Sequence, residues 1–220
     1  MTSAADNTVY LFDVDNTLLD NDSIITALRA HLVGAFGAES AARYWRGFEA
    51  IRSELGYADY LGAPQRYRID ADSDPKLLEM SSFLLDYPFS ERVYPGAFAA
   101  LAHAQQRGST VILSDGDVVF QPRKIARAGL WQAVSGRVLI YVHKEQMLAD
   151  LERRHPARRY VMVDDKLRIL TAMKAVMGER LTTVFVRQGH YAHDTALVSS
   201  MPAADHAIAR IGDFVQLQLP

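Results

Sequence analysis

Two carboxylates stand two residues apart where a hydrophobic run ends: Val9-Tyr10-Leu11-Phe12 leads straight into Asp13-Val14-Asp15-Asn16-Thr17-Leu18. Side chains alternate along a strand with period two, so Asp13 and Asp15 are expected to leave one face together, with a turn after them to bend the backbone around a ligand. Two ionised carboxylates that close repel each other unless a cation or a shared proton lies between them. The pair asks for a metal, and it leaves one carboxylate free to attack an electrophile. Three later apolar runs also end in polar groups: Thr110 to Leu113 in Ser114-Asp115-Gly116-Asp117, Val138 to Val142 in His143-Lys144, and Tyr160 to Val163 in Asp164-Asp165.

The elements that must position these groups follow from the hydrophobic pattern. From Ser23 to about Phe89 the apolar residues recur at three-to-four spacing (Ile24, Ile25, Leu28, Leu32; later Leu77, Leu78, Phe83, Leu84, Leu85), which predicts helices with no intervening strand. Between them Tyr57, Tyr60, Arg66, Tyr67 and Arg68, broken by Gly62 and Pro64, read as a turn or loop. From Val93 strands and helices alternate, the pattern of βαβ units and a parallel sheet. Helices are expected over Ala97–Arg107, about 122–128, 144–153 and 167–177, and strands over 110–113, 138–142, 160–163 and 182–186, with a weak sixth around Ala207-Ile208. In open parallel sheets ligands sit at the carboxyl ends of strands, and four successive strands here end in the polar groups named above.

Those four strand ends resemble, in order, the four motifs of the haloacid dehalogenase-like hydrolase superfamily, most of whose members are magnesium-dependent phosphatases. Asp13-Val14-Asp15-Asn16-Thr17 looks like its D-x-D-x-T first motif, Ser114 its second-motif hydroxyl, Lys144 its third-motif lysine and Asp164-Asp165 its acidic fourth motif. Lys144 is preferred over Lys124, inside a helix, and Lys166, just past the acidic pair, because it alone follows a strand and precedes a helix. The common form G-D-x-x-x-D is not reproduced: Asp164 takes the Gly place and Ile169 that of the last Asp, so Asp165 is the better direct ligand.

The resemblance implies an α/β fold: a three-layer, Rossmann-like core with a mainly parallel sheet (residues 1–19 and 91–220) carrying a helical cap (residues 20–90). It implies a magnesium ion among Asp13, Asp15 through its backbone carbonyl, Asp164 and Asp165. Asp13 becomes the nucleophile, Asp15 the general acid and base, and Ser114, Lys144 and the backbone N–H groups near Val14, Asp115 and Gly116 the phosphate binders. The implied substrate is a small phosphorylated metabolite, and Tyr57, Tyr60, Arg66, Tyr67 and Arg68 are the candidates for its specificity. Rival readings are a haloacid dehalogenase or phosphoglucomutase-type member, a non-catalytic phosphate-binding protein on this fold, and a signalling receiver domain, which is about half this length.

The bulk numbers agree with a globular enzyme. The chain has 220 residues, is 49% hydrophobic and carries a formal charge of −2 from 24 basic and 26 acidic side chains, with no block of like charge. A nucleic-acid or membrane partner is not expected, and the oligomeric state stays open. With no cysteine, disulfides, thiolate metal sites and a Cys nucleophile are excluded. The short polar start carries no basic, apolar leader pattern, so a cytoplasmic location is the expectation. His190 and His193 read as loop histidines at a site rim, since their spacing lacks further ligands for zinc.

Overall fold

The computed structural model describes residues 7–69 and 77–219; the polar start and residues 70–76 of the helical stretch lie outside it, and of Leu77 and Leu78 the backbone alone is described. Six strands, β1 (Thr8–Phe12), β2 (Ser109–Asp115), β3 (Val138–Tyr141), β4 (Arg159–Asp164), β5 (Leu181–Val186) and β6 (His206–Ile208), form a sheet in the order β3-β2-β1-β4-β5-β6. Every neighbouring pair is parallel. All five residues of β1 are buried, as an unbroken apolar strand requires when helices cover both faces of its sheet.

The two-residue period sorts these strands into two cores. Tyr10, Phe12, Ile112, Val161, Val163, Val184 and Val186 face one side, and Val9, Leu11, Val111, Leu113, Tyr160, Met162 and Phe185 the other. Among the described residues four helices lie between β1 and β2: α1 (Asn21–Leu55), α2 (Gly62–Arg68), α3 (Leu77–Asp86) and α4 (Ala97–Gln105). After β2 come α5 (Phe120–Arg127) and α6 (Leu130–Ala133), after β3 α7 (Leu148–Arg154), after β4 α8 (Leu167–Met177), and after β5 α9 (Gly189–His193) and α10 (Thr195–Ser199). Leu148 and Leu151 of α7 and Ile169, Leu170 and Met173 of α8 cover the second face, while α4, α5 and α6 cover the first. The result is the three-layer, Rossmann-like α/β arrangement.

The helical segment leaves and re-enters the core through adjacent, antiparallel connections. Asp20 N–H donates to the Arg92 carbonyl at 2.8 Å and Tyr94 N–H to the Leu18 carbonyl at 2.9 Å. The Asp20 carboxylate caps α1 by accepting from Ser23 N–H at 3.0 Å. Helix α1 is interrupted at Gly37, whose φ of +82° a residue with a Cβ adopts only under strain. Phe48 stacks on Tyr60 at 4.7 Å, and Tyr60 and Phe89 meet the Phe120 ring of α5 at 5.8 and 5.9 Å. These rings seat the segment on the sheet-covering layer. Among the described residues no helix is long and apolar enough to cross a membrane.

Two local expectations need correction. The expected turn or loop over Tyr57 to Arg68 holds only for residues 57–61, since residues 62–68 form α2. Pro64 sits in the first turn, where a backbone N–H has no intrahelical partner to lose, and the Asp59 carboxylate accepts from Gly62 N–H at 2.6 Å to start the helix. The expected helix over 144–153 is a 3-10 turn at Lys144–Gln146 followed by α7, because Asp115 Oδ1 accepts from Lys144 N–H at 2.8 Å and holds the chain at the strand end.

Candidate active site

The strand order reverses between β1 and β4, which opens a crevice at their carboxyl ends. Asp13 extends the β1–β4 pairing by one bond, its N–H donating to the Val163 carbonyl at 3.0 Å, so it lands beside Asp164 and Asp165 at the end of β4. Lys144 reaches in from the end of β3. Its Nζ lies 2.5 Å from Asp13 Oδ1, 2.7 Å from Asp164 Oδ2 and 3.3 Å from the Leu113 carbonyl, and its side chain is 1% exposed. Burial alone would lower the lysine's pKa, but attraction to Asp13, Asp164 and Asp115 outweighs it and holds the ammonium above the ordinary lysine value. Lys144 is thus the lysine bonded to Asp13, while Lys124 meets Asp15 and Lys166 lies over the Tyr191 ring at 5.1 Å, lining the cavity described below.

One carboxylate oxygen each from Asp13, Asp164 and Asp165 lies within 4.8 Å of the others. Asp13 Oδ2 and both oxygens of Asp165 are buried without a hydrogen-bond donor, while Asp164 Oδ1 accepts from Lys166 N–H at 2.8 Å. Asp165 is held by its backbone, whose N–H donates to Thr17 Oγ1 at 3.1 Å. Burial, reinforced by Asp164, holds the Asp165 carboxyl well above the usual carboxylate range, and burial pushes Asp164 up to about 6 against the pull of Lys144. Buried, donorless carboxylate oxygens are costly, and a hard cation is the partner such oxygens accept. The donor set fits a divalent metal. The Asp15 carboxylate, expected to leave the same face as Asp13, stands outside this group, held by Lys124.

Asp15 lies against α5. Its Oδ1 is 2.5 Å from Lys124 Nζ, and its Oδ2 is 3.4 Å from Gln121 Nε2. The same Gln121 amide donates to Ser114 Oγ at 2.8 Å. Val14, next to Asp13, is buried, and its carbonyl accepts from Leu18 and Leu19 N–H at 2.9 Å to close the turn. Gly116 does not offer a spare N–H to a ligand, since its amide donates to the Tyr141 carbonyl at 2.9 Å. That position still requires glycine: a Cβ there would come within 2.8 Å of Gln121 Cβ.

Above these groups lies a cavity of about 540 Å³ with Asp15, Asp115 and Gly116 on its floor. Tyr57 and Tyr60 line it, as do Trp45 and Arg52 of α1. Arg66, Tyr67 and Arg68 do not. The turn of α2 directs Arg66 to Glu54 at 2.6 Å, buries Tyr67 under the Arg43 guanidinium at 4.2 Å, and leaves Arg68 exposed. The cationic lining comes instead from Arg29, stacked at 4.0 Å on Trp45, from Arg52, bonded at 3.1 Å to the Tyr191 hydroxyl, and from Arg168.

A model of the haloacid dehalogenase-like hydrolases matches residues 8–176. The chain belongs to that family. It is similar to the crystal structure of a Burkholderia xenovorans LB400 protein assigned to the same hydrolases, with 64% identity and a TM-score of 0.92 over 97% of this chain and 100% of that one. The fold also matches L-2-haloacid dehalogenase from Xanthobacter autotrophicus with chloropropionic acid covalently bound (18% identity, TM-score 0.60, 96% and 97% of the two chains). A third likeness is to the HAD-hydrolase YfnB from Bacillus subtilis bound to magnesium (14% identity, TM-score 0.60, 96% and 98%). No curated protein matches.

Three groups in this haloacid dehalogenase-like hydrolase escaped the sequence reading. Asp115, expected to offer its backbone N–H, anchors Lys144 through its carboxylate, and the β2–β3 pairing brings the two together. Gln188 donates to the Asn16 and Thr17 carbonyls at 3.3 and 3.2 Å and so braces the first loop from 171 or more residues away, which no local pattern signals. Lys124, a helical lysine, stands one turn from Gln121, a spacing that puts both on the inward face of α5. His190 sits at the cavity wall with Nδ1 2.7 Å from Asp22 Oδ1. Among the described residues the three aspartates are the one group arranged to hold a metal.

Proposed function

We propose that the chain is a magnesium-dependent phosphatase that hydrolyses a small phosphorylated metabolite through an aspartyl-phosphate on Asp13. The carrying observation is the set of donorless buried oxygens on Asp13 and Asp165 beside the Lys144 ammonium. Bound there by Asp13, Asp165 and Asp164, magnesium supplies charge that screens an anionic nucleophile from an anionic substrate. Lys144 holds Asp13 Oδ1 in place and balances the transferring phosphoryl group, with the Ser114 hydroxyl beside it. An Asp13 oxygen forms a bond to phosphorus as the bond to the leaving oxygen breaks, and that oxygen takes a proton from Asp15. Water then attacks the phosphorus, gives its proton to Asp15, and releases phosphate and the Asp13 carboxylate.

A halide-releasing enzyme would share Asp13 and Lys144, but halide leaves without protonation, so it uses neither an acid at Asp15 nor a cation at Asp165. The helical segment at residues 20–90 acts in this reading as the cap that selects substrate, with Arg29, Arg52 and the rings of Trp45, Tyr57 and Tyr60 suited to an organic phosphate bearing a ring or a second anionic group. The test is hydrolysis of p-nitrophenyl phosphate with magnesium and with EDTA, run beside chloride release from 2-chloropropionate. Magnesium-dependent phosphate release without chloride release is expected. Chloride release without phosphate release would overturn the reading.

A further inference from the structure

Lys124 is a lysine buried in an unusual place. Its side chain is 1% exposed, its Nζ meets Asp15 Oδ1 at 2.5 Å and Asn21 Oδ1 at 3.3 Å, and the Phe120 ring lies 5.6 Å away. Burying an ammonium is costly unless well-placed partners compensate it. The packing of α5 does not demand this, since Phe120 and Ile125 already bind the helix to the core. One turn earlier on the same face, Gln121 touches the other oxygen of Asp15 and the Ser114 hydroxyl. Asp15 itself is 25% exposed and lines the cavity, where an unheld carboxylate would rotate among rotamers.

Resting on the reading of Asp15 as acid and base, we infer that Lys124 and Gln121 are positioning residues that clamp the two oxygens of the Asp15 carboxylate, aiming it at the leaving oxygen. Neither touches the phosphoryl group. Through the Gln121 amide the clamp also links Asp15 to the Ser114 hydroxyl.

A double-mutant cycle on the full chain tests this, with Lys124→Met, Asp15→Asn and the pair assayed on p-nitrophenyl phosphate and on phenyl phosphate, whose leaving group needs a proton far more. Lys124→Met should lower kcat toward phenyl phosphate by about tenfold or more, with a smaller loss toward p-nitrophenyl phosphate, and the double variant should be no slower than Asp15→Asn. KM and inhibition by inorganic phosphate should stay within about twofold, because phosphate binding is untouched. Losses that multiply in the double variant, or a shift in phosphate inhibition, would overturn the clamp. If Lys124→Met fails to fold, Gln121→Leu carries the test. A several-fold loss on phenyl phosphate that vanishes in the Asp15→Asn background supports the clamp, and one that persists there refutes it. A wild type without phosphatase turnover would instead overturn the proposed function, and this inference with it.

Discussion

Asp13 is the residue on which the proposed chemistry turns: it meets the Lys144 ammonium through Oδ1, belongs to the metal-type donor set and keeps Oδ2 without a donor. Asp13→Asn should keep the fold but lose turnover, since a neutral amide is a poor nucleophile and a weak metal ligand. Steady-state assays are expected to show less than about a tenth of wild-type activity, a loss above ~1.4 kcal/mol of barrier. The fourth-motif pair divides the work. Asp164 is engaged by Lys144 and by Lys166 N–H, whereas Asp165 has both oxygens free of donors. Asp165→Ala should therefore raise the magnesium concentration for half-activity more than Asp164→Ala does. The reverse ranking in a magnesium titration would reassign the direct ligand.

At the scale of elements, α1 rather than α2 presents cations to the cavity. Arg52, near the α1 C-terminus, lines it, and Arg66 on α2 pairs with Glu54 away from it. Arg52→Ala should raise KM for the preferred substrate about three- to tenfold, the scale of a partly solvated charge-assisted contact, and spare p-nitrophenyl phosphate. Arg66→Ala should change neither. Parallel kinetics on the two variants check this, and an effect confined to Arg66 would return specificity to α2.

For the whole molecule, the buried acid cluster links stability to metal and pH. With Asp164 at about 6 when folded and near the ordinary ~3.9 when unfolded, the folded chain binds more protons between those values. Metal-free stability should accordingly fall as pH rises from about 4 through 6. Magnesium at 100 times its Kd should add about 2.7 kcal/mol, or roughly 5–10 °C in Tm. The gain should be larger at pH 7 than at pH 5, where protons compete for the same oxygens, and should vanish in Asp165→Ala. Thermal melts across pH with and without magnesium read all three.

The sequence by itself determined what short-range patterning encodes. Apolar runs ending in Asp13, Ser114, Lys144 and Asp164-Asp165 announced parallel strands and a convergent polar edge, because strands buried on both faces must be continuously apolar and their polar residues fall at the ends. Lys144, which follows one of those strands, lies at that edge against Asp13 for the same reason. What only the tertiary structure decided are the pairings across sequence. The β2–β3 register delivers Asp115 to Lys144, α5 delivers Lys124 and Gln121 to Asp15, and α2 turns Arg66 and Tyr67 away from the cavity while α1 supplies Arg52. Such contacts depend on how helices are rotated and docked, and hydrophobic spacing sets which face of a helix is buried but not which distant side chain it meets there.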